Sequence, residues 1–186
     1  MSKREGKPAT GPERVEINRA PVLTLWAAVV AERLGYDRDT ALTLAKAVTG
    51  LDAQAKGQRL GIYEPKEAEE KEKEKKERPG PAVELLGRAI PVVKTKEGVR
   101  ATVKDKPVSP ESVERYLRSK FGDALPEVRQ SMEELARAYR PKELERRAYR
   151  LYTEFRPVIP AGVKGWGAKG ELDLARIRAL GEKGAR

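Results

Sequence analysis

The chain contains neither histidine nor cysteine among its 186 residues. Histidine is the side chain that exchanges protons most readily near neutral pH, and cysteine is a reactive nucleophile and a soft metal ligand. Their absence excludes catalytic sites of the Ser-His-Asp and Cys-His types, structural zinc fingers, and iron-sulfur clusters or haems held by these residues. Any catalytic chemistry would have to use carboxylates, lysine or tyrosine.

Three pairs of carboxylates are the candidates for acid-base chemistry or for an oxygen-only metal site. They are Asp37 with Asp39, Glu133 with Glu134, and Glu171 with Asp173. The first and third pairs lie at predicted helix starts, where acidic side chains stabilise the helix dipole. No distinctive nucleophile accompanies any pair, and no spacing specifies Mg²⁺. The sequence therefore predicts a non-catalytic protein with no cofactor and no metal site.

A long apolar run is missing as well. The longest run, residues 21–31 with one threonine inside, is well short of the roughly 20 residues that a bilayer span needs. It begins 20 residues into the chain, unlike the apolar region of a signal peptide. We expect this segment to be a buried helix in a cytoplasmic protein that does not contact a membrane.

Positive charge is in excess, with 39 Lys and Arg against 29 Asp and Glu, for a net charge of +10 at pH 7. Such an excess favours polyanionic partners. The excess is richest per residue in residues 81–107 and 161–186, each with six basic residues against three acidic ones. No dense basic block exists, so a soluble protein with a mixed ionic surface is the alternative interpretation.

Composition and periodicity divide the chain into five segments. They are a disordered arm (residues 1–17), a helical hairpin (18–63), a charged Glu/Lys linker (64–81), a β-hairpin with three helices (82–160), and a Gly-rich loop with a short C-terminal helix (161–186). The predicted fold class is mainly α with one β-hairpin, an α+β fold. Whether the linker is helical or disordered is left open.

The helical hairpin is predicted from apolar residues at three- and four-residue steps. Asn18 is the expected cap of its first helix, Gly35 the expected end, and Asp37 the cap of the second helix. Gly50 is expected to weaken or break this second helix. So small a unit cannot bury its own apolar stripes. They must be covered by the rest of the chain, by a second copy or by a partner.

In the fourth segment, residues 90–95 and 99–104 are predicted to be the two strands of the hairpin, with Gly98 in the turn. Strict alternation in the second strand predicts an inward and an outward set. The inward set is Val99, Ala101 and Val103, and the outward set is Arg100, Thr102 and Lys104. Three helices follow, beginning near residues 110, 126 and 141, and the C-terminal helix is expected to include Leu172.

The C-terminal loop fits a G-x-G-x-x-G pattern between Gly165 and Gly170. It lacks the preceding apolar strand and the later acidic residue of a dinucleotide site, so no nucleotide cofactor is predicted. Trp166, between Lys164 and Lys169, could instead stack on a base while the lysines contact phosphates. The alternative is that Trp166 packs on the helical core and anchors the tail.

The hairpin is the second candidate surface for a polyanion. Its predicted phosphate contacts are Lys94, Lys96, Arg100, Lys104 and Lys106. Basic side chains on strands contact phosphates in protein–DNA interfaces. Lysines on exposed strands also serve simply to prevent edge-to-edge pairing, which is the alternative interpretation.

Two stretches, NRAPVLTLWAAVVAERLG and GVKGWGAKGELDL, resemble a family of small bacterial proteins with no assigned function. The resemblance covers most of residues 18–180. It implies a bacterial origin and carries over no activity, ligand or site residue.

From these features we expect a non-catalytic, cytoplasmic bacterial protein that binds DNA or RNA through backbone phosphates. The alternative is a protein–protein interaction module or adaptor that self-associates through residues 18–63.

Overall fold

The computed structural model describes residues 13–59, 81–162 and 168–184. The predicted linker up to residue 80, residues 1–12 and the loop residues 163–167, including Lys164 and Trp166, lie outside the described residues. The described part is mainly helical with two small antiparallel sheets, which confirms the predicted α+β class.

The elements follow one another with short connections. In chain order they are β1 (Arg14–Asn18), α1 (Arg19–Arg33), α2 (Arg38–Arg59), β2 (Ala82–Leu85), β3 (Arg88–Thr95), β4 (Gly98–Val103), β5 (Lys106–Pro107), α3 (Pro110–Phe121), α4 (Leu125–Arg137), α5 (Pro141–Phe155), β6 (Lys169–Asp173) and α6 (Leu174–Gly184). A 3-10 turn, Gly122–Ala124, joins α3 to α4.

Helices α1 and α2 form the predicted helical hairpin, with Gly35 between them at a φ of +111°. The Asp37 carboxylate accepts a hydrogen bond of 3.2 Å from the Thr40 backbone N–H, as expected of a cap. Asn18 occupies the cap position of α1, but its side chain makes no capping hydrogen bond. The prediction was wrong there because β1 runs straight into the helix.

The predicted break at Gly50 was also wrong, because α2 continues without interruption from Arg38 to Arg59. Val48 and Asp52, on either side, are buried. Tertiary packing therefore offsets the low helix propensity of a single glycine.

Helix α1 lies at the centre of the core, because its residues 21–31 are all buried. The indole N–H of Trp26 donates to the Ala148 carbonyl at 2.8 Å. The Trp26 ring meets the Phe155 ring edge-on, with 5.3 Å between centroids. The apolar residues of α1 are covered within the same chain by α2, α3, α4 and α5, so their burial does not require a second copy or a partner.

Residues 14–17, predicted to belong to a disordered arm, form most of β1, so that part of the prediction was wrong. β1 pairs antiparallel with β6, and Val15 lies opposite Leu172. Ile17 is 2% exposed and Leu172 fully buried. The alternating apolar residues of β1 supply the buried face of this two-stranded sheet. Leu172 therefore lies in a strand, and the C-terminal helix begins two residues later.

The predicted hairpin of β3 and β4 is present, but it belongs to a four-stranded sheet in the order β2-β3-β4-β5. Two of its turns have two central residues with positive φ, the geometry that matches the twist of antiparallel strands. These are Leu86–Gly87, at +50° and +78°, and Lys104–Asp105, at +54° and +65°. Neither dipeptide is a typical sequence signal for such a turn, which explains why β2 and β5 were not predicted.

None of the helices in the described ranges is both long enough and apolar enough to cross a bilayer.

Two glycine-to-alanine variants should change stability in opposite directions. A Cβ at Gly50 would meet nothing within 4 Å, so Gly50→Ala should raise the free energy of unfolding by about 0.5–1 kcal/mol. A Cβ at Gly170 would lie 2.7 Å from the backbone carbonyl carbon of Val158. Gly170→Ala should therefore lower the free energy of unfolding by about 1–3 kcal/mol. Urea denaturation measures both values. Equal effects would contradict the packing of β6 against residue 158.

Candidate nucleic-acid interface

The four lysines predicted on the hairpin, Lys94, Lys96, Lys104 and Lys106, are all exposed. They do not form a compact patch. Lys96 and Lys104 lie in the turns at opposite ends of the six-residue β4, about 20 Å apart at about 3.3 Å per residue. Each turn also contains an exposed acid, Glu97 or Asp105. Positive and negative charges are therefore mixed along the hairpin.

Arg100 does not point outward as predicted. Its side chain is 7% exposed, while Val103, predicted to be inward, is 41% exposed. The Arg100 guanidinium donates to its neighbour's carbonyl, that of Val99, at 2.9 Å and lies 3.8 Å from an Asp39 carboxylate oxygen. Arg100 therefore belongs to the folded framework and is not available to an external phosphate.

The reason for this burial is the contact of α2 with β4. The Thr40 hydroxyl donates to the Val99 carbonyl at 2.9 Å, and the Thr43 hydroxyl accepts from the Ala101 N–H at 3.0 Å. These two side chains dock the first turns of α2 onto the middle of β4. Alternation within a strand cannot predict such a contact, because the covering helix lies about 60 residues earlier in the chain.

Of the three residues predicted in the C-terminal loop, only Lys169 is described. It is exposed and pairs with Asn18 at the end of the β1–β6 sheet. This register places Lys169 beside the first residue of α1, Arg19. Lys164 and Trp166 lie outside the described residues.

The exposed face of α5 carries a basic surface that was not predicted. It consists of Lys142, Arg146 and Arg150, hereafter the α5 ridge, which are exposed and follow at four-residue steps. Residues four apart project from the same side of a helix. In the described part of the chain none of the three is in an ion pair. Glu143, on the flank of α5, is paired with Arg147 at 3.2 Å instead.

The four-residue spacing was visible in the sequence. It was missed because residues 108–160 contain 11 basic and nine acidic residues, and a segment total hides the face on which each charge lies. The opposite side of α5 buries Leu144, Ala148 and Leu151. This burial determines that the basic residues face solvent.

Two arginines and a tyrosine meet at the C-terminal end of α5, a group hereafter called the arginine pair. The Arg156 guanidinium lies over the Tyr152 ring, 5.9 Å from its centroid. The Tyr152 hydroxyl donates to the Arg19 carbonyl at 3.4 Å, and the Arg19 Nε donates to the Pro157 carbonyl at 2.9 Å. Among the described residues neither Arg19 nor Arg156 is in an ion pair.

Burial and the positive charge of Arg156 lower the pKa of Arg19 from its ordinary value. The Arg19 guanidinium lies next to Arg156 in the chain path, because its Nε is 2.9 Å from the carbonyl oxygen of Pro157, the following residue. Burial strongly raises the pKa of Tyr152, which keeps its hydroxyl protonated.

Asp52 is buried next to this group, with 5% of its surface exposed. It accepts a hydrogen bond of 2.9 Å from the Tyr149 hydroxyl and lies 3.2 Å from the Arg88 guanidinium. Both contacts are made to the same carboxylate oxygen, Oδ1, so the buried charge is compensated by a cation and a hydroxyl. It ties α2, α5 and β3 together. Because its three members lie far apart in the sequence, no local pattern predicts the cluster.

Elsewhere the arginines are largely engaged with the protein itself. Arg33 donates to the carbonyls of Ala136 and Tyr139, near the end of α4. Arg129 bridges the carboxylates of Glu32 and Glu133. In the described ranges no three carboxylates come together in a way that could hold a metal ion. The α5 ridge differs from these arrangements because its cations have no protein partner among the described residues.

No family model matches the chain, and neither a curated protein nor a solved structure matches it. The resemblance to a family of small bacterial proteins stays a prediction, and the function has to be argued from the residues themselves.

Arg100→Gln should destabilise the protein, whereas Lys96→Gln should not. The first change removes a buried cation, its hydrogen bond to Val99 and its ion pair with Asp39, at a cost of about 1–3 kcal/mol in the free energy of unfolding. The second change removes one positive charge from an exposed turn and should alter that free energy by less than about 0.5 kcal/mol. Urea denaturation of the two variants makes the comparison. If they are equally stable, the burial of Arg100 has no energetic role.

The raised pKa of Tyr152 predicts a loss of stability at alkaline pH. A tyrosine that holds its proton more tightly in the folded state contributes stability below its unfolded pKa, which is near 10.0. This contribution is lost as pH rises above that value, by up to about 1.4 kcal/mol per pH unit. Tyr152→Phe should therefore lose less stability than the wild type between pH 9 and pH 11. Parallel curves in urea denaturation would contradict the assignment.

Proposed function

We propose that the protein binds nucleic acid in the bacterial cytoplasm through backbone phosphates, with the α5 ridge as its main contact surface. One observation carries the proposal: Lys142, Arg146 and Arg150 share one exposed helix face without a carboxylate partner in the described part of the chain. Successive ridge residues are about 6 Å apart along the helix axis. The ridge therefore spans about 12 Å, over which one DNA strand carries three or four phosphates.

The chemistry of the ridge supports phosphate contacts over base recognition. Two of its three side chains are arginines, whose planar guanidinium groups donate two parallel hydrogen bonds to one phosphate. Phosphate contacts release condensed counterions from the nucleic acid, and this release drives binding without regard to sequence. We infer binding that depends strongly on salt and little on sequence.

The exposed hairpin lysines and Lys169 remain candidates for additional phosphate contacts. The proposal gives them a secondary part, because they are dispersed along the hairpin and do not form one row. Self-association through residues 18–63 has weaker support, since α2, α3, α4 and α5 cover the apolar residues of α1 within the same chain.

Removal of the ridge charges should weaken binding and flatten its salt dependence. Fluorescence anisotropy with a labelled 20-base-pair DNA and a 20-nucleotide RNA, between 50 and 200 mM KCl, measures both. In the triple variant Lys142→Gln/Arg146→Gln/Arg150→Gln, the slope of log K against log salt should fall by about 2–3, because each lost phosphate contact contributes about 0.9.

The matched control, Lys96→Gln/Lys104→Gln/Lys106→Gln, removes the same net charge from the hairpin. Its slope should change less than that of the ridge variant. Circular dichroism and thermal melting should show that both variants fold, because all six side chains are exposed. The reverse order of effects would assign the interface to the hairpin. A wild-type protein that binds neither nucleic acid at 50 mM KCl would refute the proposed function.

A further inference from the structure

The arginine pair lies beyond the C-terminal end of the α5 ridge, on a flank of the helix. Arg150 and Arg156 are six residues apart, which corresponds to about 9 Å along the helix axis and about 120° around it. Tyr152 contacts both members of the pair, since its ring lies under the Arg156 guanidinium and its hydroxyl donates to the Arg19 carbonyl. The pair is therefore fixed in place at one end of the ridge.

The two guanidinium groups are preorganised for an external acceptor. Arg19 uses its Nε for the Pro157 carbonyl, which leaves its two terminal nitrogens for other contacts. Arg156 stacks on Tyr152, a contact that leaves the edge of the guanidinium plane available. Both residues are only partly exposed. A site of this kind holds the donors in one geometry before the ligand arrives.

Charge determines which ligand fits such a site. The only described buried carboxylate nearby, Asp52, is already occupied by Arg88 and Tyr149. Two like charges held close together at a half-buried site destabilise each other, and an anion that offsets both is favoured. A phosphodiester within a strand carries one negative charge. A terminal phosphate monoester carries about 1.5 to 2 at pH 7.

We propose that Arg19 and Arg156 bind the phosphate monoester at the end of a nucleic-acid strand, whose backbone then follows the α5 ridge. This inference rests on the proposed function for the strand, and it assigns the arginine pair to the strand end. Lys169, which the register of the β1–β6 sheet places beside Arg19, adds a third cation to the same end of the surface.

The test compares three single strands of 12 nucleotides with one sequence: one with a 5′-phosphate, one with a 3′-phosphate, and one with neither. Each carries its fluorescent label at the opposite end or within the strand. By anisotropy, one of the phosphorylated strands should bind about tenfold more tightly than the unphosphorylated strand, the increase expected from new charge-assisted hydrogen bonds. Which of the two shows this increase identifies the strand end that is bound.

The Arg156→Gln variant should lose this preference while it keeps the wild-type affinity for the unphosphorylated strand. Arg156→Lys, which keeps the charge, should retain part of the preference for the phosphorylated strand. It serves as a control in case the glutamine variant does not fold. Arg147→Gln is the matched control on α5, since Arg147 is paired with Glu143. It should keep the full preference. The ridge triple variant should weaken the binding of all three strands by the same factor.

Equal affinity of the wild type for all three strands would overturn the terminal-phosphate site and leave the proposed function standing. If no strand binds, the proposed function fails, and titration with inorganic phosphate tests the arginine pair by itself. Inorganic phosphate that protects wild type but not Arg156→Gln in thermal melting would assign the pair to free phosphate. No effect of phosphate on either protein would overturn the site.

Discussion

The burial of α1 is the constraint on which the rest of the structure depends. This helix is covered by α2 and by helices from the second half of the chain, and Trp26 fixes the position of α5 through the Ala148 carbonyl and the Phe155 ring. Once α5 lies against α1, its apolar side is fully committed to the core. Lys142, Arg146 and Arg150 must then face solvent together. A core contact thereby creates the basic surface.

Burial also decides which cations remain available to a partner. The net charge of +10 gives only the excess of basic over acidic residues. Many of the basic side chains are bound to carbonyl or carboxylate groups of the protein itself. Arg33 and Arg19 donate to backbone carbonyls, while Arg88 and Arg129 are paired with carboxylates. Arginine serves well in these positions because one guanidinium contacts several acceptors at once. The location of the described cations without such contacts carries the functional argument, because only on α5 do three of them follow at four-residue steps on one helix face.

Local patterns predicted the parts of the fold that depend on local forces. The apolar spacing predicted α1, α2 and the three helices after the sheet, and Gly35 and Gly98 have the positive φ values expected of them. Contacts between distant segments were not predictable in this way. The pairing of β1 with β6 joins residues more than 150 positions apart, and the docking of α2 on β4 buries Arg100 against the alternation of its strand.

The same distinction explains why the candidate site moved from the hairpin to α5. A tally of charge by segment favours residues 81–107, because the acidic residues of α5 cancel its basic ones in the sum. On a helix, however, Glu143 and Arg147 occupy a flank and pair with each other, which removes both from the surface that a polyanion meets. On the hairpin, the lysines are dispersed between two turns at opposite ends of β4, and Glu97 and Asp105 share those turns. The helical period of 3.6 residues therefore places Lys142, Arg146 and Arg150 in one row, with Glu154 at the next four-residue step, whereas the hairpin lysines form no such row.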